Sequence, residues 1–185
     1  HLGFWNRLNL DVELYNKKTT DMLMEVPESY ADKGYGYHWS NVGGMVNRGV
    51  ELSLAADVIQ HKDFVWSVNA NVSYNRNKMT KLYSGVSEYE LSSTNTKLVV
   101  GHSFGEFYLN RFAGVNPLWY TKEGELTTEL RDEDKVMVGK SYVAPWQGGF
   151  GTTLAWKGLS LSAQFSWVAD RWMINNDRYF DESNG

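Results

Sequence analysis

The chain has 185 residues, a net charge of −4, eight Trp, eleven Tyr and no cysteine. Without cysteine there is no disulfide scaffold and no thiolate metal site. The interspersed charges offer no basic block for nucleic acid, and no run of eighteen apolar residues is present to make a transmembrane helix. That last exclusion does not touch a transmembrane β-barrel, whose signal per segment is far weaker.

The first pattern is "FWNRLNLDVELY". Phe4, Leu8, Leu10, Val12 and Leu14 share one face, against Trp5, Arg7, Asn9, Asp11, Glu13 and Tyr15. A period of two is the signature of a strand, because successive side chains point to opposite faces. A short turn over Lys17–Thr19 leads to "TDMLMEV", read as a second strand with Met22, Met24 and Val26 together. A polar loop from Pro27 to Met45 is rich in Tyr and Gly. "RGVELSLAADV" then sets Val50, Leu52, Leu54, Ala56 and Val58 against Glu51, Ser53 and Asp57. After the short "IQHKD" comes "FVWSVNANVSYNRNK", whose Phe64, Trp66, Val68, Ala70, Val72 and Tyr74 oppose Ser67, Asn69, Asn71, Ser73 and Asn75. An excursion from Lys78 to Pro145 contains an extra strand pair near 106–130, with turns at Asn116–Pro117 and Glu123–Gly124. "WQGGFGTTLAW" and "LSLSAQFSW" follow, joined by the tight Lys157–Gly158 turn, and "ADRWMINNDRYFDESNG" reads as a further loop.

Six strands of one kind predict an all-β chain. The connections run short, long, short, long, which is the parity of an antiparallel up-and-down outer-membrane barrel with short periplasmic turns and long extracellular loops. The stretches Phe64–Tyr74 and Trp146–Trp156 carry aromatics at both ends. At roughly 3.3 Å per residue and a tilt near 45°, each crosses about 23 Å, the height of a lipid-facing band. Apolar side chains are therefore expected outward and amides inward. The alternative from another class is a soluble carbohydrate-binding β-sandwich with the apolar face as its core, and a passive porin-type barrel is a third reading. The opening "HLGFWNRLNL" starts inside a pattern, as expected of a piece of a longer protein.

Several blocks add a resemblance. "NVGGMVNRGVELSL" resembles the N-x-G-x-x-x-N-[KR]-G-[VI]-E-L segment of the SusC/RagA-like TonB-dependent transporters of Bacteroidetes. "DFVWSVNANVSYNRNKMTKL" is similar to the strand that follows there, with its N-x-N-K ending. "GHSFGEFYLNRFAGVNP", "VGKSYVAPWQGGFGTTLAWKGLSLSAQFSW" and "NNDRYF" continue in family order. Two departures concern loops: "NPLWY" stands where Asp-Pro-x-[TS]-G is usual, and "APW" replaces the commoner Pro-Lys or Pro-Arg. The resemblance implies the C-terminal part of a roughly 22-stranded barrel, with plug and TonB box elsewhere. It further implies import of large nutrients, glycans or peptides, powered by TonB and assisted by a SusD-like surface lipoprotein. Residues 1–185 would then supply about six wall strands plus the hairpin near 106–130.

No enzyme and no cofactor are expected. His38, His61 and His102 lack ligand spacing and read as solvated. Asp132, Glu133 and Asp134 read as a solvated loop, with a calcium site as the other possibility. "GGFG" (Gly148–Gly151) is not a phosphate loop, because it lies inside a strand; close approach to the plug, or curvature, would explain its glycines. The aromatic loops admit contact with substrate or lid through Tyr35, Tyr37, Trp39, Trp119 and Tyr120, with Tyr30 and His38 beside them. Packing of loop on loop, or a place in the upper aromatic girdle, is the alternative. Free sheet edges and an apolar stripe predict association of the isolated piece.

Overall fold

The computed structural model describes residues 2–5, 7–27, 36–91 and 94–175. Tyr30, Tyr35 and all but the first residue of "NNDRYF" lie outside them. The strands are β1 (Leu2–Phe4), β2 (Leu8–Pro27), β3 (Tyr37–His61), β4 (Phe64–Lys81), β5 (Glu88–Leu91), β6 (Thr96–Val99), β7 (Glu106–Leu109), β8 (Arg111–Phe112), β9 (Trp119–Tyr120), β10 (Leu126–Thr127), β11 (Val136–Ser141), β12 (Trp146–Trp156) and β13 (Leu159–Ala169). The main sheet has the order β1-β2-β3-β4-β12-β13, antiparallel throughout and open at both edges.

One rung shows how the alternation becomes a surface. Leu10, Leu54, Ala70, Phe150 and Phe165 are successive cross-strand partners, and the two phenyl rings stack at 4.7 Å. The rung toward the long connections is Leu14–Val50–Tyr74–Trp146, with the last two rings at 4.5 Å. The rung at the other end is His61–Phe64–Trp156–Leu159. Among the described residues no second layer covers this face: Leu14 is 78% exposed, Leu159 71% and Leu161 67%. A sandwich core would bury these residues, so the soluble alternative fails on this geometry. In hydrocarbon a bare apolar face is at no cost, and polar groups must find partners. Trp66 meets that demand by donating its indole N–H to Thr152 Oγ1 at 2.8 Å.

At the end with short connections, β12 and β13 are joined by Lys157–Gly158, both at positive φ (45° and 90°). A two-residue hairpin needs that twist, and glycine supplies half of it without strain. At the opposite end, residues 82–145 form separate small sheets, β11-β7-β6-β5 and β10-β9-β8. The expected strand pair near 106–130 is thus divided. β7 pairs with β11 and β6, while β8, β9 and β10 make a meander whose turns fall at 113–118 and 121–125. Neither belongs to the six-stranded sheet.

The expected turn at Lys17–Thr19 is absent. β2 runs straight through it, with Lys17, Lys18 and Thr19 paired to Asn47, Val46 and Met45. The segment is polar on both faces because it has passed the end of the apolar band, and it contains no glycine or proline to turn the chain. Beyond it, register shifts on either side of Met22, with Asp21 at φ 55°, change which residues face which way. A one-residue slip moves a whole set of side chains to the other face. Met24 and Val26 are consequently buried at 7% and 8% exposure, while Leu23 between them is 62% exposed. Met24 joins Met79, Leu82 and Leu98, with Val42, Met45, Tyr89, Leu91 and Phe104 packed around them. This cluster roots the excursion onto the wall.

Candidate functional site

The face opposite the apolar one is the candidate site. Its rungs read Asn9–Ala55–Asn69–Gly151–Gln164, then Asp11–Ser53–Asn71–Gly149–Ser166, then Glu13–Glu51–Ser73–Gln147–Val168. Side chains bridge from strand to strand: Ser67 donates to Asp57 at 2.7 Å, Gln164 Nε2 to Asn69 Oδ1 at 3.3 Å, and Asn75 Nδ2 to Asn47 at 3.3 Å. The middle rungs line a concavity of about 550 Å³ that includes Asp11, Ser53, Asn69, Asn71, Gln164 and Ser166. Carboxylates Asp11, Glu13, Glu51 and Asp57 all project from this face. Amides, hydroxyls and a few acids can hold water, a polar cargo or a polar domain; they hold no nucleophile–base pair.

The glycines of "GGFG" have a local reason. A Cβ on Gly151 would occupy the space in which Asn69 Oδ1 and Gln164 meet, and one on Gly148 would lie 2.7 Å from the Trp167 ring. Each of these two glycines lets a neighbouring strand's side chain cross it, while a Cβ on Gly149 would meet the Phe165 carbonyl at 2.8 Å.

Asn77 anchors the excursion to the wall at the upper rim. It is 8% exposed, and its Oδ1 accepts from Ser103 Oγ at 2.9 Å and from the Phe104 N–H at 2.6 Å. Backbone bonds Met79 N–His102 O and Gly101 N–Met79 O extend the contact along β4. Glu106 continues it, accepting from the Gly139 N–H at 3.1 Å and facing His102 Nδ1 at 3.2 Å. His102 therefore has a partner on one side while about half its side chain stays exposed. Outside the wall, burial pulls the Lys97 ammonium down, but its hydrogen bond to Glu88 and the charges of Tyr108, Glu88 and Glu90 hold it above its ordinary value. Burial raises the Tyr142 phenol.

The predicted contact residues fall in different places. Tyr37 and Trp39 stand exposed on β3, at 53% and 60%, on the face opposite Met24 and Val26. Trp119 and Tyr120 are half-buried in the β8–β9–β10 meander, Trp119 against Phe112 at 5.3 Å and Tyr120 under Arg111 at 5.7 Å. The two pairs belong to separate sheets. The three carboxylates of the acidic loop do not converge: Asp132 pairs with Lys135 at 2.9 Å, Glu133 with Arg131 at 3.5 Å, and Asp134 accepts from the Lys122 N–H at 3.0 Å. Among the described residues no group of three His, Asp or Glu could hold a metal. Asn77 and Glu106 were not singled out from sequence, although Asn77 sits inside the N-x-N-K block.

Comparison with known proteins agrees with this geometry. The family model described as TonB dependent receptor-like, beta-barrel, matches residues 2–185. TonB-dependent receptor P26 of Formosa agariphila is 29% identical over 88% of this chain and 18% of its own length. TonB-dependent receptor SusC of Bacteroides thetaiotaomicron is 32% identical over 58% of this chain and 12% of its own length. A solved structure of the RagAB peptide transporter superposes with a TM-score of 0.87 and 38% identity, covering 96% of this chain and 21% of that one. Structures of the RagAB peptide importer in "closed-closed" and "open-open" states both match at a TM-score of 0.86. The chain thus spans about a fifth or less of the length of these relatives. It belongs to the TonB-dependent receptor-like β-barrel family, a family of outer-membrane receptors and transporters rather than enzymes, and is a SusC/RagA-type stretch of barrel wall with the loops that rise from it.

Proposed function

We propose that the chain forms part of the wall and extracellular loops of an outer-membrane importer of large nutrients, glycans or peptides. The importer works with a SusD-like surface lipoprotein and draws energy from TonB. The observation that carries this reading is the two-faced sheet. Five strands hold a lipid-facing apolar band on one side, in register with a continuous amide, hydroxyl and carboxylate surface on the other. Such a wall encloses a wet lumen wide enough for polar polymers. Residues 1–185 supply about six wall strands, and the plug belongs to the rest of the protein. Within this reading Trp119 and Tyr120, raised on the excursion, contact cargo or lid through their exposed edges, as do Tyr37 and Trp39 from β3, while Tyr35, the remaining contact residue expected from sequence, lies outside the described residues. The likeness to SusC and to the RagAB transporter supports the assignment.

The test is growth of the source bacterium on defined glycans or peptides as sole nutrient, with the gene carrying this chain deleted. Loss of growth on one class, reproduced when TonB is uncoupled, is the expected result. Uptake that persists without TonB would instead mark a passive porin and overturn the proposal.

A further inference from the structure

Just beyond the aromatic rung Leu14–Val50–Tyr74–Trp146, the outward face changes from apolar to cationic. The next rung is Asn16–Arg48–Arg76 and the one after it Lys18–Val46–Lys78. No irregularity interrupts the pairing from Leu8 to Thr19 or from Met45 to Asp57. These side chains therefore leave the wall on the same side as the lipid-facing residues, not into the lumen. Lys18, Arg48, Arg76 and Lys78 are all exposed. Arg48 Nε donates to Asn16 Oδ1 at 3.1 Å, which holds the guanidinium against the wall.

Arg48 and Arg76 are direct cross-strand partners, an arrangement in which like charges destabilise the sheet. Among the described residues no carboxylate forms an ion pair with any of the four cations. Asp170 shares a small cavity with Arg76 and Lys140, but its Oδ1 accepts from the Trp172 indole N–H at 3.0 Å. Among the described residues the charge on this patch is uncompensated. Its height is also specific. Two residues along a tilted strand rise roughly 5 Å and four roughly 9 Å, so the two cationic rungs stand above the aromatic girdle, at the level of headgroups.

We propose that Lys18, Arg48, Arg76 and Lys78 form a docking site for the phosphate of an anionic glycolipid headgroup in the outer leaflet. The occupant is a membrane lipid rather than cargo because the site opens on the lipid side of the wall and continues the hydrocarbon-facing band below it. A phosphate there neutralises the opposed arginines by its charge and leaves the acyl chains along Leu14, Val50 and Tyr74.

The test uses the full-length protein carrying this chain, purified in detergent and titrated with monophosphoryl lipid A, with bound lipid read by native mass spectrometry. Saturable binding is expected, weakened about 25-fold in R48Q/R76Q at a roughly fivefold loss per cation. R48K/R76K should stay within about threefold of the parent, because a phosphate near the surface responds mainly to charge. The dephosphorylated lipid should not bind, and inorganic phosphate at equal concentration should not compete. Equal affinity in R48Q/R76Q and the parent would overturn the proposal. So would equal binding of phosphorylated and dephosphorylated lipid, or competition by inorganic phosphate alone. Should R48Q/R76Q fail to fold, K18Q/K78Q carries the same test: a comparable loss supports the site and unchanged affinity refutes it. The readout is lipid phosphate, so it stands apart from any uptake assay.

Discussion

The glycine in "NRGVELSL" gives the sharpest structural prediction. Gly49 sits between Tyr15 on β2 and the Tyr74–Asn75 stretch of β4. The Tyr15 side chain lies across it, and its hydroxyl donates to Asn75 Oδ1 at 3.0 Å. A Cβ at position 49 would press into the Tyr15 hydroxyl and ring and into the backbone carbonyl of Tyr74. Ordinarily Gly→Ala inside a strand gains about 0.5–1 kcal/mol of stability. Here overpacking costs about 1–3 kcal/mol, and displacing Tyr15 forfeits a hydrogen bond of about 1 kcal/mol. The net expectation for Gly49→Ala is a loss of roughly 1–3 kcal/mol, opposite in sign to the propensity argument. Urea-dependent folding of the full-length protein into detergent micelles, followed by heat-modifiable gel mobility, measures it. Tyr15→Ala supplies the second arm. The double variant should lose clearly less than the sum of the singles, because part of the clash goes with the ring while the Tyr74 carbonyl remains. Gly3→Ala, whose nearest neighbour would be 3.7 Å away, is the control. A Gly49→Ala protein as stable as its parent, or singles that add, would refute the packing account.

Other consequences can be measured in the same system. Phe150→Arg, near the middle of the apolar band, should cost about 2–4 kcal/mol, while Asn71→Arg on the opposite face should cost close to nothing; equal costs would remove the distinction between lipid and lumen. Asn77→Ala leaves the Phe104 N–H without its acceptor and the Ser103 hydroxyl with only the long 3.4 Å bond to the Phe104 carbonyl. It should detach the root of the excursion, read as faster proteolysis within 82–145 while the wall strands stay protected, at a cost of about 1–3 kcal/mol. Alkaline pH should loosen the same region. Lys97 and Tyr142 have folded values raised above their ordinary 10.5 and 10.0, as do Tyr89 and Lys135. Their contribution is therefore complete below those unfolded values and is lost as pH rises through the folded ones. Protection factors for hydrogen exchange of residues 88–142, taken against the intrinsic base-catalysed rate at each pH, should stay constant to about pH 10 and fall above it, and a fall already at pH 8 would contradict the assignment.

Where strands are long and one face meets hydrocarbon, the sequence alone was sufficient. The alternation in Phe64–Tyr74, Trp146–Trp156 and Leu159–Trp167 predicts strands that the structure contains, in β4, β12 and β13. A period of two is a local property, and lipid enforces it over a full crossing. The Lys157–Gly158 turn was legible for the same local reason. Outside the apolar band the constraint disappears, and so did legibility. Lys17–Thr19 looked like a turn because both faces there are polar, whereas β2 continues for another eight residues. The flip that buries Met24 beside Met79 and Leu98 depends on an irregularity at Asp21 and on a partner more than seventy positions away. No pattern within β2 encodes that choice. The strand content of 106–130 was equally non-local, since β7 takes its partners from β6 and β11. The sequence by itself determined the two-faced wall and its family. Only the tertiary structure decided how the excursion is rooted, why Gly49 must be glycine, and that four cations gather at headgroup height, because each of these follows from register between strands distant in the chain.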